Sequence, residues 1–207
     1  MTNAAPRRSQ EARREETRLR LLRATIALLH ERGYSRLTTP DIAQRAGVSR
    51  GALTHHFANK EDIVVRAVAL QLQDVTDGLR QLCTEQAAPG MSLDDIVDHL
   101  WRMMAEGLFY VTMEYLPEAR HNLAFRERLR PVVRDFHAAL DAIWMRVSSA
   151  AGLPPDQARI SLNATMCLFR GMIAQTVLRD DPAYYRELLD YWKAHLQTGL
   201  GPLRRAA

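Results

Sequence analysis

Arg50, Thr54 and His55 stand at a spacing that puts them on one outward face of a short helix. A guanidinium, a hydroxyl and an imidazole are the groups that meet phosphate oxygens and base edges of duplex DNA. Gly51 and Ala52, beside Arg50, remove side-chain bulk, so the start of that helix can approach a phosphodiester backbone closely. Other chemistries lack their residues. His55 and His56 are adjacent and point about 100° apart on a helix, a poor arrangement for chelating one metal ion. The chain has no HExxH spacing, no glycine-rich phosphate loop and no nucleophile elbow. A small helical enzyme is therefore a competing reading without support, and neither a cofactor nor a metal is expected.

Two helices and a tight turn must position these residues. Thr38 or Thr39 opens the first helix, and Asp41 three residues after Thr38 completes the T-x-x-D form of a capping box. Pro40 is tolerated in a first turn, whose N–H groups have no intrahelical partner. Ile42, Ala43 and Ala46 form a small apolar face, and Gly47 supplies a left-handed terminus. Ser49 caps the second helix, which runs from Arg50 to about Phe57. This is the helix-turn-helix arrangement, whose second helix enters the major groove; an ordinary helical hairpin is the alternative on spacing alone.

Residues 17–64 resemble the DNA-binding domain of the TetR/AcrR family of one-component bacterial transcription regulators. The stretches LLRATIALLHERGYSRLTT, DIAQRAGVS and HHFANKEDI carry the likeness. The resemblance implies that His55, His56 and Lys60 lie against the DNA backbone and that Arg50, Gly51 and Ala52 lie near base edges. With Thr38, Thr39, Arg45, Ser49 and Thr54 they make up the expected DNA-binding set. The family usually has Tyr, a common phosphate contact, where this chain has Thr54. Here that contact is lost or made by a shorter hydroxyl.

The charge distribution agrees. Residues 1–60 carry 12 Lys and Arg against 5 Asp and Glu, a net of +7. Residues 61–207 carry 16 against 19, a net of −3, so the positive charge sits on the segment with the motif. At 207 residues and 47% hydrophobic content, the chain is long enough for one good core or two small ones. No apolar run approaches a membrane span, and the polar N-terminus is not a secretory signal, so a cytoplasmic location is expected. Cys83 and Cys167, far apart in apolar helical patterns, read as two buried thiols.

The expected fold is all-α with about nine helices. A tail over residues 1–14 lacks apolar periodicity and reads as disordered; Arg7, Arg8, Arg13 and Arg14 in it could act as a minor-groove arm. A three-helix helix-turn-helix domain follows over 15–62, and a helical ligand-binding and dimerisation domain over 63–207. The first helix spans about 17–32, with Leu19, Leu22, Ile26 and Leu29 on its apolar face and Gly33 at its end. A long helix from Lys60 to about Cys83 is shared by both domains and could carry motion between them. A helix capped by Ser92 should run to Tyr115 and be closed by Pro117, with a short helix to about Leu123. Helices over about 126–150, 156–179 and 183–198 complete the set.

In the helix after Ser92, Trp101, Met104, Leu108, Val111 and Tyr115 share one stripe, while Met103, Phe109, Tyr110 and Met113 form a second. Such a helix is expected to be central and buried. Its Met and aromatic side chains are either plain core or the wall of an apolar cavity. The resemblance implies a ligand cavity there, with His99, Glu106, His121 and Asn122 as candidate polar groups and an apolar or amphipathic small molecule as ligand. Leu162, Met166, Phe169, Ile173 and Val177, with Leu188, Trp192 and Leu196, are expected to face a second copy; intradomain packing is the alternative. The resemblance favours a two-fold interface, hence a dimer on a palindromic operator, repressing until ligand releases it. A regulator without a small-molecule ligand remains the alternative.

Overall fold

The computed structural model describes residues 10–85 and 92–198, and among them there is helix and no strand. The elements are α1 (Gln10–Arg36), α2 (Thr39–Ala46), α3 (Arg50–His56), α4 (Lys60–Glu85) and α5 (Leu93–Met103). A π-helical turn (Met104–Leu108) then leads into α6 (Phe109–His121), followed by α7 (Leu123–Ala150), α8 (Pro155–Thr176) and α9 (Pro182–Gln197). Backbone contacts divide the chain into two compact units, cut elsewhere than at residue 62. One holds the described residues up to Gln71 together with Val111–Val132; the other holds Leu72–Tyr110 and the described residues from Val133.

The first unit is built on α1. Leu21, Leu22, Leu28 and Leu29 are buried with Leu37, Ile42, Leu53, Phe57, Ile63 and Val64, so α1 forms the floor on which α2, α3 and the start of α4 pack. Thr25 is buried on the same stripe because its hydroxyl donates to the Leu21 carbonyl at 2.8 Å. The helix begins at Gln10, so Arg13 and Arg14 are helical rather than part of a tail, while Arg7 and Arg8 lie outside the described residues. Gly33, at φ 75° and ψ 169°, breaks the helix in a backbone region that is essentially restricted to glycine, and helical residues resume to Arg36.

Residues 111–132 join this unit through specific contacts. The Tyr34 and Phe125 rings are 5.5 Å apart. Asn122 caps α7, accepting from the Phe125 amide at 3.0 Å, and donates to Glu61 at 2.8 Å and Glu118 at 2.9 Å. Asp62, 5% exposed, accepts from the Ala58 amide at 3.1 Å, from Arg66 at 3.0 Å and from Arg128 at 2.6 Å. A single carboxylate thus joins the α3–α4 corner, α4 and α7.

The second unit contains the capping box of α5, in which Ser92 and Asp95 exchange hydrogen bonds. Its tryptophans are held by side-chain partners: Trp144 donates to Ser161 at 3.1 Å and Trp192 to Thr165 at 2.9 Å. Lys193 pairs with Asp98 at 2.5 Å and Gln197 donates to Asp94 at 2.7 Å, tying α9 to α5.

Three expectations are corrected. Pro117 does not close a helix; it lies inside α6, and Pro131 inside α7. A proline removes one backbone hydrogen bond, a loss that water can offset on a surface such as this one, where Met113 (46%) and Leu116 (52%) are exposed. That exposure also means that the helix after Ser92 is not buried throughout, and it is interrupted at Gly107 (φ 146°) within the π turn. The thiols are not both buried: Cys83 is half-buried and Cys167 exposed, because Cys167 sits on the outward side of α8.

Burial alone would raise the Asp62 pKa, but the Ala58 amide and the Arg66 and Arg128 guanidinium groups outweigh it and hold the carboxyl below its ordinary value. The stability it contributes is complete above the ordinary aspartate range and is lost as pH falls through the lowered pKa. Asp62→Asn is expected to lower stability by about 1–3 kcal/mol at neutral pH, with a smaller difference in acid. Urea melts at pH 7 and pH 3 check this, and equal differences at both would contradict it.

Candidate nucleic-acid interface

The helix-turn-helix is held by local hydrogen bonds. Thr38 accepts from the Asp41 amide at 3.3 Å and donates to the Asp41 carboxylate at 2.6 Å. Thr39 and Pro40 form the first turn of α2, and Gly47 ends it at φ 64°, with its amide bonded to Gln44 and the Val48 amide to Ala43. Ser49 caps α3 by accepting from the Ala52 amide at 3.1 Å. Arg20 of α1 donates to the carbonyls of Ala46 and Gly47, which fastens the turn to the floor. No sequence pattern had singled out Arg20, since it reads as one more surface cation on α1.

The residues expected to contact DNA differ in how free they are. Arg50, Gly51, Thr54 and His55 are exposed along α3, and Ala52 is half-buried beside them. The Thr54 hydroxyl donates back to the Gly51 carbonyl at 3.1 Å. A Cβ added at Gly51 would meet only the Ser49 hydroxyl, at an ordinary 3.9 Å, so nothing inside the chain requires glycine there. Arg45 is exposed but paired with Glu31. Lys60 is half-buried: its ammonium donates to the Tyr34 carbonyl at 2.7 Å and lies 4.2 Å from the centre of the Tyr34 ring. Burial lowers the Lys60 pKa, and burial with the Glu118 and Glu61 charges pushes that of Tyr34 up to about 12. His56 is half-buried, its ring 5.7 Å from that of His55, and its pKa is lowered by burial and then by the charges of His55, Arg14 and Arg18.

The residues expected to line a ligand cavity differ in burial and in the unit to which they belong. Met104, Leu108, Val111 and Tyr115 are buried, but the last two belong to the first unit with His121 and Asn122. Asn122 is the α7 cap described above; His121 and Glu106 are exposed. His99 is half-buried with its Nε2 unpaired, and burial and Arg102 lower its pKa. Trp101 alone among the set lines a described pocket, a groove of about 320 Å³ with Pro182, Tyr185 and Leu189 as its apolar walls and Arg179, Asp180 and Arg186 at its edge. Tyr185 is 4% exposed and its hydroxyl has no partner.

Most residues of the expected dimer face are turned inward in the protomer. Leu162, Met166, Phe169, Ile173 and Leu196 are buried within the second unit, and Leu188 and Trp192 are half-buried. Only Val177 of the set is exposed. The outward face of α8 instead carries Ile160, Ala164, Cys167 and Gly171, spaced 4, 3 and 4 residues apart, and Leu178 just past its end is 95% exposed. Tyr184, Leu188 and Tyr191 make a similar outward stripe on α9.

An exposed, capped second helix in a three-helix, basic segment defines the molecule as a helix-turn-helix DNA-binding protein. Residues 21–67 match the family described as bacterial regulatory proteins, tetR family. The chain is 40% identical over 208 residues to the probable HTH-type transcriptional regulator ArpR of Pseudomonas putida, covering 92% of each protein. Among solved structures, it resembles the multidrug binding protein EbrR complexed with imidazole (27% identity, 91% of this chain and 96% of that one, TM-score 0.57). It shares the fold of the regulator FadR from Bacillus subtilis in complex with stearoyl-CoA (19% identity, 88% and 98%, TM-score 0.64). The chain belongs to the tetR family and is a DNA-binding transcriptional regulator, not an enzyme.

Lys60→Ala removes a charged donor from the Tyr34 carbonyl and is expected to lower stability by about 1 kcal/mol. An unchanged thermal midpoint would show that the ammonium is not held there.

Proposed function

We propose that the protein binds a palindromic operator as a homodimer, with α3 in the major groove, and represses transcription in the cytoplasm until an apolar or amphipathic small molecule releases it. The observation that carries the DNA reading is the outward edge of α3. Arg50 is exposed there beside a helix start that Ser49 caps, and Gly51 occupies a position where the protein itself has room for a side chain. A helical glycine costs about 1 kcal/mol relative to alanine, which is understandable if a DNA backbone approaches closely at that point. Arg50 then reads a base edge, while Thr38, Thr39, Ser49, His55 and His56 position the helix on the phosphates. Arg45 and Lys60, both engaged within the protein, act through the geometry of α2 and α4.

The helix-turn-helix domain of this reading is residues 15–62, and the regulatory domain 63–207. The outward stripes of α8 and α9 are the surfaces offered to a second copy, since a protomer that already buries Leu162, Phe169 and Ile173 still exposes Ile160, Leu178 and Tyr191. Gly171 sits in the middle of the α8 stripe with open space around it and permits close crossing of two helices. For the effector, the groove bearing Trp101 offers apolar walls, and the buried Tyr185 hydroxyl offers one hydrogen bond. EbrR, a multidrug binding protein by name, is a relative with ligand-binding capacity. The ligand acts by population shift: it stabilises a conformer with differently spaced recognition helices, by no more than its differential affinity for the two states.

Selection of bound fragments from genomic DNA tests the reading. A recovered palindrome supports it, and salt-sensitive binding with no enriched sequence refutes it. On the recovered site, Arg50→Ala is expected to cost about 1–3 kcal/mol and to relax one base position; equal losses on random DNA would remove its base-reading role. Gly171→Arg, which meets no atom within 4 Å of the added Cβ, is expected to leave the protomer folded and give a monomer by sedimentation. A persistent dimer would place the interface elsewhere.

A further inference from the structure

The first unit has many cations near α3, but most are already engaged. Arg45 is paired with Glu31, Lys60 with the Tyr34 carbonyl, Arg20 with the Ala46 and Gly47 carbonyls, and Arg18 with Glu15 at 2.6 Å. Each of these holds the unit together, and its charge is partly answered from within the chain. A duplex laid along α3 needs cations that are exposed and unanswered.

The helical phase of α1 identifies one. Arg14, Arg18, Leu21, Thr25 and Leu28 recur at intervals of 4, 3, 4 and 3 residues, so they share one face of α1. Leu21, Thr25 and Leu28 are the buried part of that face. Because α1 starts at Gln10, the face continues past the edge of the core for about two more turns. On it Arg14 is exposed, with Glu11 one turn further out. The charges of Arg14, Arg18 and Glu15 all act on His56, in the last turn of α3. In that cluster Glu15 pairs with Arg18 and not with Arg14.

We infer that the first turns of α1 extend the DNA interface, with the Arg14 guanidinium binding a backbone phosphate that flanks the segment read by α3. The inference rests on the proposed DNA interface and adds a contact outside the helix-turn-helix itself. Arg14 makes an ionic contact with no base specificity, so it raises affinity on every sequence and steepens the salt dependence. It also fixes how α3 lies in the groove, since α1 and α3 are packed on one core.

Arg23 is the internal control. It is equally exposed on α1 but lies on the opposite side from Leu21, and its removal changes the net charge by the same amount. The test measures binding of the full chain to a duplex carrying the genomically selected site, over a series of salt concentrations. Arg14→Ala is expected to reduce the slope of log affinity against log salt by about one, Arg14→Lys to restore it, and Arg23→Ala to leave it near the wild-type value. Thermal melts of all three should coincide with the wild type, since neither side chain packs in the core. Parallel slopes for wild type and Arg14→Ala, or equal losses for Arg14→Ala and Arg23→Ala, overturn the inference while leaving the α3 reading intact. A wild-type protein that retains no DNA would sink both, and that result is distinguishable from the other two.

Discussion

The DNA-binding unit depends on a buried negative charge. Asp62 lies where the corner after α3 meets α4, and its two oxygens receive an amide and two guanidinium groups from three parts of the chain. A carboxylate removed from water must be answered by such donors. Here the donors arrive only if 111–132, distant in sequence, returns to the first unit. The arrangement makes the position of α3 conditional on α7, because Arg128 holds the same oxygen as Arg66.

The positive charges divide by role. A lysine or arginine whose donors already reach a carbonyl or carboxylate stiffens the scaffold and has less to offer a phosphate. Arg20, Arg45 and Lys60 are of this kind, although in sequence they are indistinguishable from Arg50 and Arg14. Net charge located the correct third of the chain, and only the hydrogen bonds separated the fastening cations from the free ones. The same holds for Thr54, whose hydroxyl is turned back on its own helix.

What could be read in the sequence was what local chemistry determines. Thr38, Asp41, Gly47 and Ser49 each act through a neighbour three or four residues away, and each is found doing so. Features decided by distant partners were not readable. Two apolar stripes on α8 look alike in one dimension, and burial of Leu162 and Phe169 against the second unit chose which one faces outward. Asn122 seemed a polar group for a cavity, yet its partners Glu61 and Glu118 make it a joint between helices. Proline at 117 suggested a helix end, but one missing amide does not stop a helix at an exposed surface.

The turn at Met104–Leu108 interrupts the helix on which Trp101 to Tyr115 seemed to share a stripe. A π turn is an α-helix carrying one additional residue, and one residue is about 100° of rotation. A helical wheel drawn continuously through 93–121 is therefore out of phase beyond Gly107, whose φ of 146° only glycine adopts readily. Read as an insertion, the turn re-aims everything from Phe109 onward, and it separates the lineage of faces on α5 from those on α6. A deletion there would shift every later side chain of the helix at once.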